Sequence, residues 1–146
     1  MPVKMGIPDT DYISGIREAV RSSWQFSWTL VESNKMKEIT DCINPWLYRT
    51  CSRRNEVVLC RLRIGHTHFS HGFLMSNDHQ PFCDDCLVPL TVRHLLVECP
   101  SLQELRERHF NKNRDGIFNM KHILGRDVNE DSLFNYIKEA GYFNQI

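Results

Sequence analysis

The sequence predicts a small, mostly α-helical domain, and three observations support this prediction. Apolar residues recur at spacings of three and four towards both ends of the chain. Residues that cap helices precede several of these stretches. Four potential metal ligands lie close together between residues 83 and 99. With 146 residues, of which 41% are hydrophobic and 25% charged, the chain has the composition of one globular domain.

The first predicted helix spans residues 11–32, with Thr10 or Asp11 as its cap. Its apolar residues recur with helical spacing; they are Ile13, Ile16, Val20, Trp24 and Trp28. Because Trp24 and Trp28 are four residues apart and share a face, we expect this helix to be docked rather than exposed. We likewise expect the tryptophans, including Trp46, to be core residues rather than stacking platforms.

A second helix is predicted over residues 53–66. The alternation of Cys60, Leu62 and Ile64 with arginines also permits a strand, but we favour the helix. The remaining predicted helices cover residues 67–74, 91–98, 101–110 and 119–124, and a last helix begins at Asn129 or Asp131. This last helix carries Leu133, Phe134, Ile137 and Ala140 on one face.

Residues 81–100 carry the strongest signal. Cys83 and Cys86 are separated by two residues, so both sulfur atoms can bind one ion from a tight turn. His94 and Cys99 complete a set of three thiolates and one imidazole, which predicts a zinc knuckle with a closed, structural zinc ion. The alternatives are incidental thiols and a redox pair, but the redox pair lacks its usual strand–helix–strand context.

The net charge is zero, with 18 basic and 18 acidic residues, so total charge favours neither nucleic acid nor a membrane as partner. Residues 49–71, however, contain five arginines and three histidines against one acidic residue, Glu56. We predict that this segment contacts nucleic acid through Arg53, Arg54, Arg61, Arg63, His66 and His71. The alternative is a solvated helix face whose arginine stems cover apolar surface. A second metal site is less favoured, because His66 and His71 are five residues apart.

Several classes are not expected. No stretch approaches the ~20 apolar residues of a membrane span, and the first residues lack the apolar region of a secretory signal. We therefore expect an intracellular protein whose six cysteines are thiols or ligands rather than disulfides. Because no phosphate-binding loop, nucleophile elbow or metalloprotease motif occurs, we expect neither an enzyme nor a small-molecule substrate.

These motifs resemble the C-terminal tail of the polyproteins of non-LTR (LINE-type) retrotransposons of animals. The resemblance rests on residues 61–67, Ser70-His71, Phe73-Leu74, Cys83-x-x-Cys86 and residues 89–100, and also on Trp24-Gln25-x-x-Trp28 and residues 34–39 and 136–143. In such polyproteins a reverse transcriptase is followed by an RNase H domain and then by this tail. The resemblance implies that residues 1–48 follow a missing RNase H domain and that residues 49–146 form the zinc-knuckle module.

The acidic clusters of an endonuclease, a reverse transcriptase or RNase H do not occur in this sequence. The resemblance therefore implies that only the zinc ligands and a nucleic-acid role carry over. We expect an accessory to reverse transcription that binds RNA or target DNA. The alternatives are a protein-interaction or scaffold module in which zinc only stabilises the fold, and a decayed fragment without function.

Overall fold

A computed structural model describes residues 9–46, 52–112 and 116–146 of the chain. The α-helices in these ranges are α1 (Asp9–Thr29), α2 (Arg53–Ile64), α3 (His68–His71), α4 (Phe73–Ser76), α5 (Gln103–His109), α6 (Met120–Leu124) and α7 (Glu130–Glu139). Three 3₁₀ turns cover Lys35–Glu38, Pro100–Leu102 and Phe143–Gln145, and a π-helical turn covers His94–Glu98. The prediction of a mostly helical fold is confirmed.

The described ranges contain no β-strand, and their one isolated bridge joins Phe82 to Pro89. No helix in them is both long enough and apolar enough to cross a membrane. The predicted boundary between residues 48 and 49 lies outside the described residues, as do Arg49 and Cys51.

Capping residues explain where several helices begin and end. Thr67 and Ser70 form a capping box at the start of α3, in which each side chain bonds the backbone of the other. Asn129 caps α7, as expected, by accepting a hydrogen bond from the amide of Ser132 at 3.1 Å. Helix α2 ends at Gly65, whose φ of +76° is a left-handed conformation that favours glycine. Residues 53–64 are therefore a helix and not the alternative strand.

The core lies between α2, the π-helical turn, α6 and α7. Its side chains are almost completely buried; the largest are Leu59, Leu62, Leu95, Leu96, Ile123, Leu124, Leu133, Tyr136 and Ile137. Helix α5 packs on α7, and the π-helical turn packs on α6. Because the π-helical turn belongs to the core and leads directly to Cys99, the core holds two of the predicted ligands in place.

Helix α1 does not bury its apolar stripe, so the prediction that this face is docked is wrong. Its exposed large apolar residues are Tyr12, Ile13, Ile16, Val20, Trp24, Phe26 and Leu30, and Trp24 is 61% exposed. The helix is attached through the side chain of Gln25 instead. The Gln25 amide donates to the Asp41 carbonyl at 2.9 Å and accepts from the Ile43 amide at 3.1 Å. Gln25 and Ile16 are nine residues apart and therefore about 180° apart around the helix, so the stripe faces away from the body.

The three tryptophans differ in burial. Trp24 is exposed, whereas Trp28 is half-buried with the Lys37 ammonium 5.5 Å from its ring centroid. Trp46 is also half-buried and packs against the core. The expectation of a core position therefore fails for Trp24 and holds in part for the other two.

Candidate metal centre

Two of the predicted ligands lie in a tight turn between Phe82 and Pro89. The Cys83 amide donates to the Val88 carbonyl at 2.8 Å, and the Leu87 amide donates to the Cys83 carbonyl at 2.9 Å. Leu87 has a φ of +56°, an uncommon conformation for a branched side chain that the turn imposes. This turn places the sulfur atoms of Cys83 and Cys86 on the same side.

The other two ligands are positioned by the π-helical turn. The Cys99 amide donates to the His94 carbonyl at 2.8 Å, which closes a wider turn than the i→i+4 bond of an α-helix. Pro100 follows Cys99 and disfavours a helical conformation there, and Cys99 is extended, with φ of −61° and ψ of 117°. The extended conformation of Cys99 ends the π-helical turn and places the Cys99 side chain near that of His94.

Two of the sulfur–sulfur separations match those of a tetrahedral site. The Cys99 sulfur lies 3.9 Å from that of Cys83 and 3.7 Å from that of Cys86. All four ligand atoms, including a ring nitrogen of His94, lie within 4.8 Å of one another. A tetrahedral ion with metal–sulfur bonds of about 2.3 Å requires sulfur–sulfur distances of about 3.8 Å. A disulfide requires about 2.05 Å, so these thiols are not paired with each other.

Burial at the site leaves donor atoms without other partners. His94 is 5% exposed, and its Nε2 atom is buried with no hydrogen-bond partner in the described structure. Burial, together with the neighbouring Cys99 and Cys83 thiols, raises the pKa of the Cys86 thiol to about 12. Three sulfur atoms this close cannot all be thiolates unless a cation balances them, and a bound metal ion provides that charge. The residues therefore fit a metal ion.

Neighbouring polar groups lie beside two of the predicted ligands. The Ser101 hydroxyl lies 2.9 Å from the Cys99 sulfur, to which it can donate. The Glu98 carboxylate lies 4.0 Å from Nδ1 of His94 and accepts a hydrogen bond from Arg93 at 2.6 Å. Such outer contacts fix the orientation of metal ligands in proteins.

The structure gives Arg63 a role different from the predicted phosphate contact. Its side chain is buried; Nε donates to the Leu124 carbonyl at 3.0 Å and Nη2 to the Gly125 carbonyl at 3.3 Å. Its guanidinium carbon lies 3.9 Å from the ring centroid of Trp46. Arg63 is four residues after Leu59 and shares the inward face of α2, so it cannot reach a phosphate from this position.

The other three predicted arginines are on the exposed side of α2. Arg53 forms an exposed ion pair with Glu56 at 3.5 Å. Arg54 donates to the Asn144 side chain at 2.9 Å, and Arg61 donates to the Ile146 carbonyl. We call Arg53, Arg54 and Arg61 the arginine strip.

His66 and His71 lie together, with their ring centroids 4.1 Å apart. Burial lowers the pKa of His71, and the nearby His66 and Lys35 lower it further. His71 is therefore a poor cation for a phosphate contact. In the described ranges, the only group of three or more potential ligands is the four-residue centre.

Two buried polar residues near the centre were not predicted from the sequence. Arg106 donates a hydrogen bond to the Cys99 carbonyl, and the Tyr136 hydroxyl donates to the Leu95 carbonyl at 2.6 Å. Arg106 and Tyr136 lie in predicted helices, and the helical pattern alone does not show whether such a polar residue is buried or exposed. No family model, no curated protein and no solved structure matches this chain.

Proposed function

We propose that Cys83, Cys86, His94 and Cys99 hold one structural zinc ion in a zinc knuckle. The near-tetrahedral sulfur separations and the unpartnered His94 nitrogen support this proposal. Three thiolates and an imidazole are a common donor set of structural zinc sites. Because the protein fills all four positions, no water is bound for catalysis, and the ion acts on stability. In small zinc peptides that contribution is on the order of 10 kcal/mol.

Metal analysis of the purified chain tests this proposal, and one zinc ion per chain is expected. Cys83→Ser should lose most of the metal and lower the melting temperature. Cys60→Ser is the matched control, because Cys60 is exposed and lies outside the centre. A Cys83→Ser protein that keeps full metal content and thermal stability would refute the proposal.

We further propose that this zinc-stabilised module binds nucleic acid, RNA or target DNA, as an accessory to reverse transcription. The observation that supports this is the arginine strip on α2 in a chain of zero net charge. Arg54 and Arg61 are seven residues apart and lie about 20° apart around the helix, while Arg53 and Arg61 are about 80° apart. All three can therefore face one polyanion.

The present contacts of Arg53 and Arg54 can be exchanged for phosphates. The Arg53–Glu56 ion pair is exposed, and such pairs contribute about 0–1 kcal/mol. Arg54 bonds a neutral amide and also lies 5.2 Å from the ring of Phe143. A phosphate offers stronger, charge-assisted bonds that match the planar guanidinium.

Salt-dependent binding to RNA, single-stranded DNA and duplex DNA tests the nucleic-acid proposal. The logarithm of affinity should fall with the logarithm of salt concentration by about 0.7–0.9 per phosphate contact. Replacing Arg53 and Arg61 with alanine should weaken binding to all sequences and reduce this slope by about one unit each. Arg108→Ala, on α5, is the control, because Arg108 is exposed but paired with Glu139 at 3.2 Å. No salt-sensitive binding at low ionic strength would contradict the proposal.

The exposed side of α1 favours a second candidate, a protein-interaction module. One charged residue, Arg17, lies among the apolar residues on this side of α1, because it is seven residues before Trp24 and therefore about 20° from it around the helix. Several half-exposed large side chains along a 21-residue helix offer an area on the order of the ~800 Å² that each partner contributes to a standard interface. An apolar surface of another protein chain is the partner that this side suits.

Sedimentation at increasing protein concentration tests this candidate for one partner, a second copy of the same chain. The wild-type chain should associate, and Val20→Glu with Trp24→Glu should remain monomeric while keeping metal and fold. Glu18→Lys is a control with a charge change of two units outside the stripe, because Glu18 is exposed and lies about 120° from Trp24 around the helix. A wild-type chain that stays monomeric at high concentration would contradict self-association through α1.

A further inference from the structure

Arg106 is a buried cation next to the metal centre. It lies on α5 and is only 3% exposed. One of its terminal nitrogens donates to the carbonyl of Cys99, the residue that also supplies a sulfur ligand. Its Nε and Nη1 atoms are buried without a hydrogen-bond partner in the described structure.

No carboxylate among residues 9–46, 52–112 and 116–146 forms an ion pair with Arg106. The adjacent carboxylate, that of Glu107, is instead 2.8 Å from the ammonium of Lys112. The Phe118 ring centroid is 5.9 Å from the guanidinium carbon, and this contact does not balance a full charge. A buried, unbalanced guanidinium is costly, and proteins usually pair such a group with an anion.

With zinc bound, the metal centre would supply the missing negative charge. Three thiolates and one divalent cation leave one net negative charge on the centre, and the neutral imidazole does not change it. Cys99 links this charge to Arg106, because its sulfur would bind the metal while its carbonyl accepts a hydrogen bond from the guanidinium. In a water-poor interior the two opposite charges attract each other more strongly than at the surface.

We propose that Arg106 is the counter-cation of the metal centre and positions Cys99 for metal binding. The inference rests on the proposed zinc ion and adds a residue outside the ligand set. Arg106 bonds the backbone at the point where the chain leaves the π-helical turn, so the cation both balances the centre and holds this turn. Zinc affinity should then depend on the charge at residue 106 and not only on its volume.

Competition between the full chain and a chromogenic chelator measures zinc affinity. Arg106→Met, which keeps volume and removes charge, should weaken zinc binding by about 10- to 100-fold, as do losses of outer partners at other zinc sites. Arg106→Lys should stay within a few-fold of the wild type. Arg108→Met, two residues along the same helix and exposed, should have no effect.

A change in the charge of the centre separates this role from simple packing. Cys86→His replaces one thiolate with a neutral imidazole, so the metal-loaded centre has no net charge. In that background Arg106→Met should weaken zinc binding only a few-fold. An equal loss in both backgrounds would overturn the proposal, and so would a wild-type affinity for Arg106→Met.

Two further outcomes are distinguishable. If Arg106→Met does not fold even with zinc, Arg106→Lys decides, and a large loss of affinity in that variant would refute the counter-cation role. If the wild-type chain binds no zinc, the proposed metal centre itself fails. If the wild-type chain binds zinc tightly and substitutions of Arg106 leave that affinity unchanged, only the counter-cation role is refuted.

Discussion

Replacing Arg63 with alanine tests whether this arginine is structural or binds nucleic acid. The structure places its guanidinium in the interior, where it donates to the carbonyls of Leu124 and Gly125 and lies on the ring of Trp46. These carbonyls are at the end of α6, where a cation also complements the helix dipole. We therefore expect Arg63→Ala to destabilise the fold.

The size of the effect follows from these contacts. A buried carbonyl that loses its partner costs about 1–3 kcal/mol, and Arg63 serves two of them. A desolvated cation–aromatic contact adds up to about 2 kcal/mol. Part of this is offset because the variant no longer buries a charge, so we expect a net loss of about 4 kcal/mol. For a chain of this size that lowers the melting temperature by roughly 12 °C.

Thermal unfolding of the zinc-loaded chain, followed by circular dichroism, measures this effect. Arg61→Ala is the matched control, because Arg61 is two residues away on the exposed side of α2 and should cost less than about 1 kcal/mol. Nucleic-acid binding should respond in the opposite order, with Arg61→Ala weakening it more among folded proteins. An Arg63→Ala protein of unchanged stability but weakened binding would refute the structural role.

Three further predictions concern single residues. Tyr136→Phe should lower the denaturant midpoint by the equivalent of about 1–2 kcal/mol, because a buried carbonyl loses its donor. Burial raises the Tyr136 pKa from 10.0 to about 12, so wild-type stability should fall as pH rises from 10 towards 12, and the Phe variant should lack this component. Gly125→Ala should cost about 1–3 kcal/mol in the same assay, because the new Cβ would lie 2.0 Å from the Lys121 carbonyl oxygen, whereas Gly15→Ala meets no atom and should increase helicity. Trp24→Ala should leave the melting temperature unchanged, and a loss above about 1 kcal/mol would mean that the stripe of α1 is covered.

The helices were predictable because local signals agree with the packing. Periodic apolar residues in α7 coincide with its buried face, and Asn129 caps it as expected. Gly65 ends α2 in a conformation that favours glycine, and glycine commonly follows the last residue of a helix. In each case a nearby residue determines the element, and no distant contact is needed.

The exposure of the apolar face of α1 and the structural role of Arg63 could not be predicted from local sequence signals. Apolar spacing shows that α1 has an apolar face, but it does not show what covers that face. The Gln25 contacts with Asp41 and Ile43 join residues 16 and 18 positions apart, and no local pattern reports them. Arg63 differs from Arg61 only in its helical phase relative to Leu59, and a charge count over residues 49–71 ignores that phase.

The cluster of Cys83, Cys86, His94 and Cys99 shows that spacing can predict which residues come together without predicting their geometry. His94 and Cys99 are five residues apart, which on an α-helix would place them about 140° apart and prevent both from reaching one ion. The π-helical turn and the extended Cys99 remove this conflict, and Pro100 favours the extended conformation at that residue. The spacing of His94 and Cys99 and the proline that follows them are therefore explained by the same structural requirement. The chain must stop being α-helical between His94 and Cys99, because only then do the imidazole and the Cys99 sulfur come within 4.8 Å of the sulfur atoms of Cys83 and Cys86.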